Sequence, residues 1–178
     1  MSAGKLEDAA SELDVVVRIC REKFADTSTM AGALGQSVST LVNLDRGADA
    51  EPLARELLAW CENKSTNDAT LGRCHLWIAR SLYSQARLDE SEQSINKAIE
   101  LMTGNVDKEF WPLLYAHFMK DVIAIRRGAT DRENEIIATY RRIDAMRDKM
   151  FPEDRNTILP EISKLLSDTG VTITDEPN

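Results

Sequence analysis

The chain has 178 residues, of which 43% are hydrophobic, 29% are charged and 6% are aromatic, with 8 glycines and 5 prolines. This length and apolar content suit one domain with a real core, and they exclude collagen-like, low-complexity and disordered chains. A formal net charge of −8 disfavours binding to nucleic acids and to anionic membranes, so neither is an expected partner.

The cysteine content and the hydropathy pattern indicate the cellular compartment of the protein. Cys20, Cys61 and Cys74 are far apart and odd in number, which favours reduced thiols over a disulfide framework. Acidic residues interrupt the first twenty positions, and no uncharged apolar run approaches the length of a membrane span. We therefore expect a soluble, cytoplasmic protein.

Helical periodicity begins at the amino terminus. An apolar stripe from Leu6 to Cys20 predicts a first helix. The cluster Thr27-Ser28-Thr29 offers an N-cap for a second helix that runs to about Leu44. Gly47 is expected to end that helix, and Pro52 to fit the opening turn of a third helix that ends near Cys61.

The same periodicity continues to the end of the chain. The one strand candidate, Val171 to Thr174, lies in a polar tail after Gly170. Turn chemistry around Gly104, Gly128 and Pro152 separates the remaining helices. These are expected at about 71–82, 88–101, 110–126, 131–150 and 158–166. About eight helices joined by short loops predict an all-α fold.

Residues 75–102 carry a repeat-like pattern of large and small residues. Small side chains at Ala79, Ser91 and Ala98 would let two antiparallel helices approach closely. This stretch resembles a tetratricopeptide repeat (TPR) in degenerate form, with Ala86 at the expected turn glycine and Thr103 at the expected closing proline.

Two further copies are weaker. Ala54-x3-Leu58-x2-Cys61 reproduces Ser91-x3-Ile95-x2-Ala98 at a spacing of 37 residues. A third copy runs from Tyr115 through Gly128 to Ile137, although Glu133 and Tyr140 replace its small residues. The segment 150–154 resembles the longer linker of kinesin-light-chain-type TPRs.

The resemblance spans about residues 36–166 and implies antiparallel helix pairs that stack as a short superhelix. It predicts an N-terminal capping helix over 1–27, a repeat domain with a C-terminal capping helix over 28–168, and a flexible polar tail over 169–178. The alternative is an irregular helical bundle, in which small and large residues alternate simply because helices pack tightly.

A TPR array implies a concave face lined by the first helix of each pair, and such faces bind peptides or partner helices. The candidate face is neutral to basic and suits an acidic and apolar partner segment. Alternatively, Trp77 is half-buried against a neighbouring helix, and the lysine and arginines are solvated charges. The candidate partner-binding residues are Gln36, Thr40, Asn43, Arg73, Trp77, Arg80, Ser84, Leu113, His117 and Lys120.

The best-known site of the family is a carboxylate clamp for chaperone tails. Asn43 matches one clamp position, whereas Ser39, Trp77, Leu113 and His117 occupy the other four and do not match. Binding of such tails is therefore not expected. A second basic cluster is interleaved with carboxylates and predicts surface ion pairs. It comprises Arg126, Arg127, Arg132, Arg141, Arg142 and Arg147.

Signals of catalysis are weak. The sequence has no phosphate-binding glycine loop, no H-E-x-x-H and no G-x-S-x-G. Cys61, Cys74, His75 and His117 could furnish a zinc site or a Cys–His nucleophile, but adjacent helical residues point about 100° apart. We expect a non-enzymatic interaction module without metal or cofactor. Alternatives are a TPR-type secretion chaperone, a small-ligand sensor domain, and an unrecognised hydrolase or metalloprotein.

Overall fold

A computed structural model describes residues 3–25 and 27–173, and these ranges contain eight α-helices and one 3₁₀ helix. The all-α prediction is confirmed. In the strand candidate, residues 171–173 form no strand, and Thr174 lies outside the described residues, as do positions 175–178 of the predicted tail. In chain order the helices are α1 Ala3–Lys23, α2 Ser28–Asn43, α3 Gly47–Asn63, α4 Asp68–Ser84, α5 Leu88–Met102, α6 Trp111–Arg126, α7 Glu133–Ala145 and α8 Pro152–Thr169, with the 3₁₀ helix at Arg147–Lys149.

Three expected helix boundaries were wrong. Gly47 is the first residue of α3, so Pro52 lies in the second turn of that helix instead of its opening turn. The helix expected to reach Met150 ends at Ala145 and is followed by the 3₁₀ turn. Pro152 opens α8, where its missing N–H costs nothing because the first turn of a helix has no internal acceptor for it.

Thr27 occupies the N-cap position of α2, as the sequence predicts, but it does not cap the helix through its side chain. Its hydroxyl instead donates to the carbonyl of Phe24 at 2.8 Å, which secures the turn after α1. At the start of α4 the cap is complete, because the Asn67 side chain accepts a bond from the Thr70 N–H at 2.9 Å.

The chain divides into two compact units, the first ending at Asn105 and the second beginning at Val106. In the first unit α1 to α5 pack in sequence, each against the next, and α2 also packs against α4. Two apolar clusters hold this unit together. One contains Val38, Leu41, Ala50, Ala54, Ile78 and Leu82, and the other contains Val17, Cys20, Leu34, Leu57, Cys61 and Cys74.

Small residues bring α4 and α5 into close contact. Ala79, Ser91 and Ala98 are completely buried, and the Ser91 hydroxyl donates to the Ala79 carbonyl at 2.8 Å. A Cβ atom on Gly72 would lie 2.7 Å from Cγ of Met102, closer than atoms pack. The predicted close approach at the three small positions is therefore confirmed.

A polar network joins α3 to the turn between α4 and α5. Glu51 accepts bonds from Arg55, Gln85 and Arg87, and the amide of Gln85 also donates to the Gly47 carbonyl at 3.2 Å. Burial acts to raise the pKa of Glu51, but these hydrogen bonds and the arginine charges outweigh it and hold the pKa below its ordinary value. Glu51 is consequently ionised at neutral pH.

In the second unit α6 packs against both α7 and α8. The rings of Tyr115 and Phe118 on α6 are stacked with centroids 6.1 Å apart. Only Ile136 and Ile143 of α7 are buried. The predicted surface ion pairs are present for three arginines of the basic cluster, since Arg132 meets Asp131, Arg142 meets Glu109 and Arg147 meets Asp144.

Candidate functional site

The structure fixes the register of the first two helix pairs. The pairs are α2/α3 and α4/α5. Their first helices end at Asn43 and at Ser84, 41 residues later. The turns that follow place Asp45 and Ala86 at the same backbone angle, φ = 58°. In both turns the N–H of an arginine, Arg46 or Arg87, returns to the carbonyl of a buried leucine five residues earlier. The repeat spacing is therefore 41 residues here.

The spacing of 37 expected from the sequence was wrong by one helical turn. At the observed spacing Ala50, and not Ala54, is the counterpart of Ser91, and all three residues are completely buried. Residues four apart on a helix lie on the same face, so a shift of one turn leaves an apolar pattern almost intact. A comparison of residue types alone therefore does not reveal the error of four residues in the spacing.

The corrected register changes which residues of α2 match the candidate positions of α4. The counterparts of Arg73, Trp77, Arg80 and Ser84 are Gly32, Gln36, Ser39 and Asn43, and we name these eight residues the α2–α4 face. Gly32 and Ser39 were missed by the sequence argument. The signal that would have found them is the repeated Leu-x4-Arg of Leu41–Arg46 and Leu82–Arg87. In the corrected register the counterpart of Arg80 is Ser39 and not Asn43. The match of Asn43 to a position of the carboxylate clamp is therefore lost.

Trp77 is the aromatic residue of this face. Its side chain is partly buried and packs against both apolar clusters of the first unit. The guanidinium of Arg80 lies over its ring, 4.5 Å from the centroid. A cation held over an indole is attracted by the π-electron density, so the pair fixes the orientation of the ring.

Four of the ten predicted site residues are committed to the interior or to structural contacts. Arg80 is 2% exposed, Thr40 is 9% exposed and Leu113 is 8% exposed. Ser84 is partly buried, and its hydroxyl accepts the N–H of Gly47 at 3.2 Å. These residues shape the surface from below and do not present polar groups to a partner.

The remaining residues of the first unit are accessible. Gln36 and Arg73 are exposed, and Asn43 is partly buried. Because α2 packs against α4, these side chains belong to neighbouring helices of one compact unit. Gly32 is exposed too, and a Cβ atom added there would meet nothing within 4 Å.

The second unit carries the other candidates. His117 and Lys120 are exposed on α6. Desolvation of the imidazole lowers the pKa of His117, while the carboxylate of Asp121 acts in the opposite direction. The histidine is therefore neutral at pH 7, and Lys120 carries the only charge of the α6 candidates.

The cysteines and histidines do not assemble into a metal centre. Within residues 3–25 and 27–173 no group of three or more His, Cys, Asp or Glu side chains is arranged to hold a metal ion. Cys61 and Cys74 lie with their sulfur atoms 3.5 Å apart, and all three cysteines are free and buried. Burial raises the pKa of the Cys74 thiol well above its ordinary value, which makes it a poor nucleophile at neutral pH.

The region that the structure describes also contains no helix long and apolar enough to cross a membrane.

Comparison with known proteins identifies the fold. No family model matches the chain, and no curated protein sequence matches it. Two solved structures of a Podosopora anserina protein, described as a kinesin light chain with nearly identical TPR-like repeats, do match. One is a single-residue variant, with a TM-score of 0.62, and the second has a TM-score of 0.61. Each is 13% identical, and the alignments cover 94% of this chain and 86% of the other.

The chain has a TPR-like helical repeat fold. The low identity means that the likeness concerns the fold alone, but it agrees with the stacked helix pairs of the first unit. The predicted resemblance to TPRs is confirmed. In the segment 150–154, which was compared with a kinesin-light-chain linker, residues 152–154 belong to α8.

Proposed function

We propose that the chain is a non-catalytic interaction module that binds an acidic and apolar peptide segment on the α2–α4 face. One observation carries the proposal: the accessible positions of this face include no carboxylate, in a chain with 30 Asp and Glu residues. These positions are Gly32, Gln36, Asn43, Arg73 and Trp77. TPR-like folds present such faces to protein partners.

The face combines an apolar anchor with a positive charge. The exposed part of Trp77 offers a rigid aromatic surface, because its other side is packed on two clusters and Arg80 holds the ring. Rigid aromatic residues bind with little loss of conformational entropy, and tryptophan and arginine are frequent hot spots. Arg73 supplies the charge that attracts acidic residues and sets their direction.

Gly32 and the two amides complete the surface. An exposed glycine on α2 leaves room for a partner backbone to approach the helix, while Gln36 and Asn43 offer donors and acceptors without charge. Exposed His117 and Lys120 on α6 stay predicted contacts. Free thiols in all three cysteines support a reducing compartment such as the cytoplasm.

The experiment that tests the proposal uses an immobilised array of twelve-residue peptides. One half of the array combines Asp and Glu with Leu and Phe, and the matched half replaces the acids with Lys. We expect the protein to bind members of the acidic half, and Arg73→Glu to weaken that binding at least tenfold by like-charge repulsion. Arg73 is exposed, so this change leaves the fold intact.

Lys108→Glu is the control, because it makes the same change in charge at an exposed residue of the second unit. Equal loss of binding in the two variants would show a nonspecific charge effect, and equal binding of both peptide halves would contradict the proposal.

A further inference from the structure

Two cysteines of the first unit are in contact between neighbouring helices. Cys61 lies on α3 and Cys74 lies on α4, and the two residues are 2% and 3% exposed. The thiol of Cys74 donates a hydrogen bond to Sγ of Cys61 across 3.5 Å. Both thiols are free. The packing of α3 against α4 therefore holds two reduced sulfur atoms next to each other.

This contact is close to the geometry of a covalent link. The bond of a disulfide is about 2.05 Å long, so the two sulfur atoms would have to approach by roughly 1.5 Å. Rotation of the two side chains about their Cα–Cβ bonds moves the sulfur atoms on arcs of this size. The residues are 13 positions apart in the sequence, so the link would close a short loop around the turn between α3 and α4.

We propose that Cys61 and Cys74 form a modification site, at which a hydroperoxide converts the two thiols into a reversible disulfide between α3 and α4. Disulfides of reducing compartments are typically transient and sense the redox state, which fits a chain whose three cysteines are free. Neither cysteine belongs to the α2–α4 face, so this proposal does not rest on the proposed function.

The reaction with hydrogen peroxide takes two steps. The thiolate of Cys61 attacks one peroxide oxygen, an S–O bond forms as the O–O bond breaks, and the hydroxide that leaves takes the proton that Cys61 released. The sulfur of Cys74 then attacks the sulfur of Cys61, an S–S bond forms as the S–O bond breaks, and the second hydroxide takes the proton of Cys74. Two thiols are oxidised, the peroxide is reduced, and two water molecules result.

Burial makes this reaction slow, and the position of Cys61 decides where the oxidant enters. Cys61 lies two residues before the end of α3, and the terminal turns of helices open locally at a low cost in free energy. Hydrogen peroxide is little larger than water, so a brief opening admits it. Cys20 belongs to the same apolar cluster and is also 3% exposed, so burial alone does not distinguish it from the pair.

Peptide mapping of the oxidised protein tests the proposal. The folded, reduced chain is treated with millimolar hydrogen peroxide, its remaining thiols are blocked with N-ethylmaleimide in denaturant, and it is digested with trypsin. We expect the tryptic peptides 56–64 and 74–80 to be joined by a disulfide. The contact in the folded chain should favour this link at least tenfold over either link to Cys20. The intact chain should then carry one blocking group, and dithiothreitol should restore all three thiols.

Three single variants complete the experiment. Cys61→Ala and Cys74→Ala should each prevent an intramolecular disulfide, whereas Cys20→Ala, the matched control in the same cluster, should keep it at the wild-type rate. Thermal unfolding of each variant verifies folding, and the wild-type map decides the question even where a variant unfolds. A wild type that keeps three reduced thiols, a link that involves Cys20 or a second chain, or an oxidation that dithiothreitol does not reverse would overturn the proposal.

Discussion

The helix pairs α4/α5 and α6/α7 follow the same chain order but bury their residues differently. In the first pair both helices contribute, because α5 buries Ser91, Ile95, Ala98 and Met102 at regular intervals against α4. In the second pair, α6 buries nine residues, whereas α7 buries two. The repeat pattern is kept where small residues alternate with large ones on both helices.

The difference shows two ways to stabilise a helix pair. Close approach between backbones needs a small residue at each crossing, so the first unit depends on particular glycines, alanines and serines. A helix that is apolar nearly all round instead contributes a large amount of buried surface by itself, and its neighbour needs few contacts. Substitutions should therefore act through different mechanisms in the two units.

The largest effect is expected in the second unit from Phe118→Ala. Phe118 is completely buried on α6, so its truncation leaves a cavity and should lower the free energy of unfolding by about 3–5 kcal/mol. The matched control is Phe151→Ala, which changes a residue that is 74% exposed and should alter it by less than about 0.5 kcal/mol. Chemical denaturation measures the free energy of unfolding of both variants. Similar decreases in the two would mean that α6 is not the centre of that unit.

A smaller loss is expected in the first unit from Gly47→Ala. The added Cβ would lie 2.3 Å from the carbonyl oxygen of Ser81, and a backbone atom cannot give way cheaply, so stability should fall by about 1–3 kcal/mol. Gly32→Ala meets nothing within 4 Å and lies inside α2, so it should raise stability by about 0.5–1 kcal/mol. Thermal unfolding would refute the close-approach argument if the two changes had the same sign.

The smallest effects concern the turns after α4 and α6. Ala86 and Gly128 both have positive φ, at 58° and 98°. Gly128→Ala should cost roughly 1 kcal/mol, since an L side chain is strained there. Ala86→Gly removes the corresponding strain, but it also raises the conformational entropy of the unfolded chain. The free energy of unfolding should therefore change by less than about 0.5 kcal/mol. The two substitutions are opposite exchanges. If both moved the denaturation midpoint equally and in the same direction, the two turns would not be equivalent.

Local patterns predicted the helices and the close contacts of α4 with α5. The apolar periodicity placed most helices within a few residues of their observed bounds, because burial of one face decides where a helix forms. Trp77 was expected either on the surface or half-buried, and the structure shows it partly buried between two clusters. Arg80 shows the limit of local reasoning, because charged residues are normally exposed and its burial beneath the face depends on several helices at once.

The amino-acid sequence alone determined that this chain forms helices and that it resembles a TPR. It also determined where small residues allow the helices to pack closely. The tertiary structure fixed the 41-residue spacing, which the sequence records only in the repeated Leu-x4-Arg. It alone decided the burial of Arg80 and Thr40 and the exposure of Val15, Val16 and Ile19. The physical reason is that helical periodicity records which side of a helix is apolar. It does not record which turn of that side meets a neighbour, because one turn along the same side looks almost the same.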